Sequence, residues 1–272
     1  MNSRRFLFGA VSAATIALAS SANAAIVSDI VFMVDESGSM GNVQANLRTN
    51  IGLFASILAA GGVDARFGLV GYGSSGVAPR MLVDLTSAAD FATAAAGLLT
   101  NGGTEPGYSA IAFALNEIDG QTSLFNYRTG TLKNLIIFTD EPSNGDSCSK
   151  CLTGGNSTTL ADADALLTDY NALFNAVLRG SSTISSYSSL VANHSGNVYD
   201  LNGLNTTDQT VVQNFVTAFA TSKLQETIDY CTANPTDPAC SSNVPEPGSM
   251  ALAGLGLLGL ALRRKADVSK FR

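Results

Sequence analysis

Histidine occurs once in this 272-residue sequence, at His194, and cysteine only four times, at Cys148, Cys151, Cys231 and Cys240. No Gly-x-Ser-x-Gly elbow follows a strand-like run, so a Ser-His-Asp hydrolase working through His194 lacks its nucleophile turn. The lone imidazole reads as a surface turn residue. A second Cys-x-x-Cys is absent, which removes the paired-cysteine zinc pattern. Cys148-Ser149-Lys150-Cys151 falls in a polar loop, not at the helix start a thioredoxin-like redox pair requires. Positive charge is scarce too, and it sits at the ends. The formal charge is −7 overall and falls to −13 without Arg4 and Arg5 at the start and Arg263, Arg264, Lys265, Asp267, Lys270 and Arg272 at the finish. So acidic a body repels nucleic acid and anionic lipid and attracts cations.

No apolar run reaches the roughly 20 residues of a membrane span. Residues 1–24 carry Arg4-Arg5, an apolar stretch over 6–19 and the small residues Ser21-Ala22-Asn23-Ala24, the layout of a signal peptide cut after Ala24. Sec and twin-arginine export both remain open. At the other end, Val244-Pro245-Glu246-Pro247-Gly248 leads into an apolar segment over 249–262 and then Arg263-Arg264-Lys265. This order resembles the PEP-CTERM sorting tail of Gram-negative bacteria. The resemblance implies an exosortase-type protease as processing partner, transient inner-membrane retention and release to the cell surface or extracellular matrix. The two prolines keep the recognition segment extended, and the basic cluster stays cytoplasmic. Retention as an ordinary C-terminal anchor is the alternative.

Between the ends, residues 25–229 alternate short apolar runs with amphipathic stretches, the pattern of an α/β domain with a covered parallel sheet. Strands are expected over 30–34, 66–72, 81–85, 134–139, 173–178 and 197–201, the third as an antiparallel edge. Helices are expected over 43–58, 91–99, 109–118, 160–170, 184–193 and 211–228. The result is a doubly wound, mostly parallel sheet with one antiparallel edge strand and helices on both faces. Residues 230–244, rich in Pro, Asp and Ser, read as a linker before a tail over 245–272.

Ligands of open α/β sheets settle outside the carboxyl ends of the strands. Asp35-Glu36-Ser37-Gly38-Ser39-Met40-Gly41 follows the first strand, and Asp140-Glu141-Pro142 follows the central one. A third loop, Asn101-Gly102-Gly103-Thr104-Glu105-Pro106, precedes a helix. Carboxylate and hydroxyl oxygens are hard ligands suited to Mg²⁺, Mn²⁺ or Ca²⁺, and no Cys or His is at hand to select zinc. Glu36 and Glu141 flank these loops, either as solvated charges or as carboxylates that raise cation affinity.

The Asp-x-Ser-x-Ser segment with a distant Thr and a distant Asp resembles the metal-ion-dependent adhesion site of von Willebrand factor type A and integrin inserted domains, with a Rossmann-type sheet. By that resemblance Ser37, Ser39 and Thr104 bind a cation through hydroxyls, and Asp35 and Asp140 bind it directly or through water. It implies a non-enzymatic adhesion protein whose ion meets an acidic group of a protein or polysaccharide ligand. A structural matrix protein whose ion only stiffens the loops is the rival, and a hydrolase a weaker one.

In an exported protein the cysteines are expected to be oxidised. Cys231 with Cys240 and Cys148 with Cys151 is the favoured pairing, with cross-pairing left open. The polar insertion over 143–159 lies beside the candidate site, either shaping ligand choice or serving as plain loop.

Overall fold

The computed structural model describes residues 26–74, 78–146 and 157–240. The 249–262 segment, Cys148 and Cys151 lie outside them. β1 (Ile26–Asp35) is buried along nearly its whole length. Ile30, Phe32 and Val34 enter one apolar cluster, while Val31 and Met33 enter the other. Both faces are therefore covered, which explains an uninterrupted apolar run in place of alternation. β2 (Val63–Tyr72) and β4 (Leu132–Thr139) flank β1 in parallel. β3 (Arg80–Thr86), β5 (Leu173–Leu178) and β6 (Val198–Asp200) complete a sheet of order β3-β2-β1-β4-β5-β6. Only β3 runs antiparallel, at the edge. The doubly wound architecture is as the apolar pattern implied.

On one face α1 (Gly41–Ala60), α2 (Ala88–Ala94) and α6 (Gln209–Ala233) cover the sheet through residues such as Phe54, Phe91 and Phe219. Phe32 is the hub of this layer, with ring centroids 5.7 Å from Phe54, 5.2 Å from Phe91 and 5.5 Å from Phe138. On the other face lie α3 (Gly107–Ala114), α4 (Leu160–Asp169) and α5 (Ser181–Asn193). The chain winds outward from β1 in one direction and from β4 in the other, so the switch crevice opens between their carboxyl ends.

Three elements differ from expectation. The helix expected over 91–99 is α2 at Ala88–Ala94, which gives way to a 3-10 turn at Ala95–Gly97 before Leu98 turns extended. α3 ends at Ala114, short of 118, because Asn116 takes a left-handed φ of 69° and its side chain bonds Phe125 on both sides, donating to its carbonyl and accepting from its amide. Residues 231–240 are not a free linker. α6 continues to Ala233, Cys231 is bonded to Cys240, and Ala239 packs with Leu132 and Leu173. The Val27 amide donates to the Ala239 carbonyl at 3.4 Å, so the segment is fastened to the amino-terminal edge of the sheet. Cross-pairing of Cys231 or Cys240 with the other two cysteines is thereby excluded.

Candidate metal site

β1 delivers Asp35 to the crevice and the chain then turns sharply. The Ser37 amide donates to Asp35 Oδ1 at 2.6 Å, and a short 3-10 turn over Gly38–Met40 starts α1. The loop is stitched on both sides: the Glu36 amide donates to the Tyr72 carbonyl at 2.8 Å, and the Gly102 amide to the Glu36 carbonyl at 3.0 Å. Gln44 Nε2 reaches back to the carbonyls of Asp35 and Leu99. Gly102 is required here, since a Cβ would sit 1.7 Å from the Gly73 carbonyl oxygen.

From that base a chain of polar contacts rises to the surface. Ser37 Oγ lies 3.1 Å from Ser39 Oγ, and Ser39 Oγ donates to Asp140 Oδ1 at 2.8 Å. Asp35 and Ser37 are buried, whereas Ser39 is exposed. Thr104 flanks the same space. A Cβ placed on Gly73 would lie 3.0 Å from the Thr104 carbonyl oxygen and 3.6 Å from Asp35 Oδ1. Thr104 is exposed, and its hydroxyl makes no hydrogen bond among the described residues. Its methyl faces Gly145, where a Cβ would come within 2.1 Å. Asp35, Ser37, Ser39 and Asp140 thus form one linked set, with Thr104 beside it and outside the hydrogen-bond chain.

Burial pushes Asp35 up to about 7, with the Ser37 amide and the Thr139 hydroxyl pulling the other way and Glu105 adding repulsion. Thr139 Oγ1 donates to Asp35 Oδ2 at 2.9 Å. No Lys or Arg pairs with Asp35 among the described residues. A buried carboxylate held only by neutral donors is stabilised by a cation, so the donor chemistry fits a hard divalent ion. Tyr72 and Tyr187 lie buried nearby with no hydrogen bond to either hydroxyl among the described residues, and burial raises both phenols.

Neighbouring carboxylates behave differently. Glu36, expected as a solvated charge or a cation-attracting flank, is fully buried, accepting from Arg80 Nη2 at 2.5 Å and from the Leu99 amide at 2.7 Å. Its charge is matched by Arg80 and serves to brace the loops. Glu141 is exposed. Glu105 is buried and accepts from Asn144 Nδ2 at 2.9 Å; burial raises it. Asp146, from the polar insertion, accepts from the Ser109 amide at 2.9 Å and from Ser143 Oγ at 2.8 Å, tying that loop to α3. Arg179, which the residue pattern did not single out, pairs with Asp140 Oδ2. Its position directly after β5 is the same strand-end signal that marks Asp35 and Asp140.

His194 is largely buried, not a surface residue, because its ring folds onto α4 with Nε2 2.9 Å from Asp164 Oδ1. Its carbonyl accepts from Phe174 at the start of β5, the opposite edge of the sheet from Asp140. It does not meet the serine loops.

Fold and crevice together define an α/β domain with oxygen donors gathered at the switch point of its sheet. The von Willebrand factor type A domain model matches residues 29–173, and the chain belongs to that family. A PEP-CTERM protein-sorting motif matches residues 243–265, which marks the protein for membrane-linked sorting and export by exosortase-type machinery. No curated protein matches the chain. Among solved structures it is similar to proximal thread matrix protein 1 from the mussel byssus, at 17% identity and a TM-score of 0.46 over 72% of this chain and 47% of that one. The chain spans about half the length of that protein. Among the described residues no helix is long and apolar enough to cross a membrane.

Proposed function

We propose that this protein binds an acidic group of a protein or polysaccharide through a divalent cation, Mg²⁺, Mn²⁺ or Ca²⁺, held as in a metal-ion-dependent adhesion site by Asp35, Ser37, Ser39, Thr104 and Asp140. The observation that carries the reading is Asp35: a fully buried carboxylate with no positive partner among the described residues, linked through Ser37 and Ser39 to a second carboxylate. Two carboxylates balance the charge of a divalent ion and three neutral hydroxyls add none, so the ion is not over-neutralised and an open coordination position can take an acidic group from a ligand. Ser39 and Thr104, both exposed, stand where such a ligand would approach. The protein acts at the cell surface or in the extracellular matrix of a Gram-negative bacterium, after removal of residues 1–24 and processing at the Pro245-Glu246-Pro247 segment.

Calorimetric titration of the purified protein with Mg²⁺, Mn²⁺ and Ca²⁺ tests this, against Asp35→Asn and Ser37→Ala. Saturable uptake by the wild type that both variants lose, together with EDTA-sensitive retention on an acidic polysaccharide, is the expected result. Equal uptake in all three would sink the assignment. Uptake without any EDTA-sensitive retention would favour an ion that only stiffens the loops.

A further inference from the structure

We infer that Arg179 is an internal counter-cation of this site, occupying Asp140 in competition with the divalent ion and so limiting how tightly the ion is taken. The inference rests on the cation-binding reading above. The two carboxylates at the crevice are unequal. Among the described residues Asp35 has only neutral donors, whereas Asp140 has both oxygens engaged, Oδ1 by the Ser39 hydroxyl and Oδ2 by the Arg179 guanidinium. The Asp140 side chain is 6% exposed and that of Arg179 37%, so the pair sits at the mouth of the crevice with the guanidinium outermost.

Bracing does not account for the pair. β4 and β5 are already joined by a parallel ladder from Asn134 with Leu173 to Thr139 with Leu178. Thr183 Oγ1 separately secures the Asp140 carbonyl at 2.9 Å. Arg179 has no second hydrogen-bond partner among the described residues, which leaves it free to move off Asp140. Electrostatics gives the consequence. A guanidinium against Asp140 offsets the charge of one of the two carboxylates of the set and repels an incoming ion directly. It also places a positive charge beside a cation-loaded crevice, which favours an acidic ligand over a neutral one.

The test compares the full protein with Arg179→Gln and Arg179→Met, measuring Mn²⁺ uptake by calorimetry and melting temperature in EDTA. Removing the charge is expected to tighten Mn²⁺ binding about tenfold, the effect of one nearby unit charge at the partly screened mouth of the crevice. Both variants should melt lower than wild type in EDTA, because Asp140 loses its counter-charge, and should recover with saturating Mn²⁺. Uptake by the variants alone would support the inference in its strongest form. Weaker or unchanged affinity in the variants, with wild type binding normally, overturns the role of Arg179 and leaves the site reading standing. No uptake by any of the three proteins overturns both. Variants that stay unfolded even with Mn²⁺ make Arg179 a structural residue and overturn the inference.

Discussion

Glu36 lies next to Asp35 in the chain, yet its carboxylate meets Arg80 Nη2 at 2.5 Å while Asp35 meets no cation among the described residues. Strand alternation sends the two side chains to opposite sides, and a matched charge ends up behind an unmatched one. Arg80 also donates to the Gly97 carbonyl at 3.0 Å, and the Leu99 amide bonds Glu36, so one ion pair anchors the approach to the Gly102 loop.

Arg80→Ala should therefore leave a buried carboxylate without its partner. The expected loss is on the order of 2 kcal/mol, tempered because Arg80 is one-third exposed. Urea denaturation of the two proteins measures it, and a difference under about 0.5 kcal/mol would show the pair to be ornamental.

The raised Asp35 fixes a direction of pH dependence. Its folded value is about 7, against roughly 4 for an unfolded carboxylate, so the folded metal-free protein holds a proton that the unfolded chain releases. The stabilisation this gives is fully present below about pH 4 and is lost as pH rises through about 7. Glu105 and Asp146 are raised by burial too and add to the trend. Melting temperatures in EDTA at pH 5 and pH 8 should fall with pH in wild type and fall less in Asp35→Asn. Identical slopes would mean that Asp35 does not titrate in this window.

Gly102→Ala forces a Cβ against the Gly73 carbonyl, a backbone group that cannot rotate away. The substitution should cost on the order of 3 kcal/mol and pull the Thr104 loop from Ser37, with which Gly102 forms a bridge. Circular dichroism melting would show the loss, and calorimetry a parallel drop in cation uptake.

Replacing Cys231 and Cys240 together by serine opens a loop with a sequence separation of nine. Chain-entropy reasoning puts the cost at about 2–3 kcal/mol. Cation affinity should hardly change, since the bond lies at the edge of the sheet opposite Asp35; a large change would reveal unexpected coupling along α6.

The fold was legible where burial writes a local pattern. The run over 30–34 announces a strand covered on both faces, and the short apolar run over 81–85 announces the edge strand that became β3. The loops bearing Asp35 and Asp140 were legible because strand ends point to a crevice, and the Thr104 loop because a hydroxyl stands beside glycines ahead of a helix. What escaped depends on partners far away in the chain. Arg80 is 44 residues from Glu36 and Arg179 is 39 from Asp140, and neither pairing leaves a trace in local spacing. The end of α3 was overrun because Leu115 and Ile118 continue the helical apolar spacing and are in fact buried, although Asn116 has already turned the backbone. Composition likewise hid the role of residues 231–240, where a disulfide and one small alanine do the packing that apolar bulk does elsewhere.

The contact between Val27 and Ala239 decides which way the molecule looks. Both residues sit at the foot of a ten-residue strand whose head, Asp35, stands eight residues beyond Val27, a rise of about 26 Å. Cys240, on that same lower side, precedes the start of the sorting motif by three residues in the sequence. Ser39, Thr104 and Arg179 lie at the far end of the sheet from Cys240, so the length of the central strand separates the crevice from the disulfide.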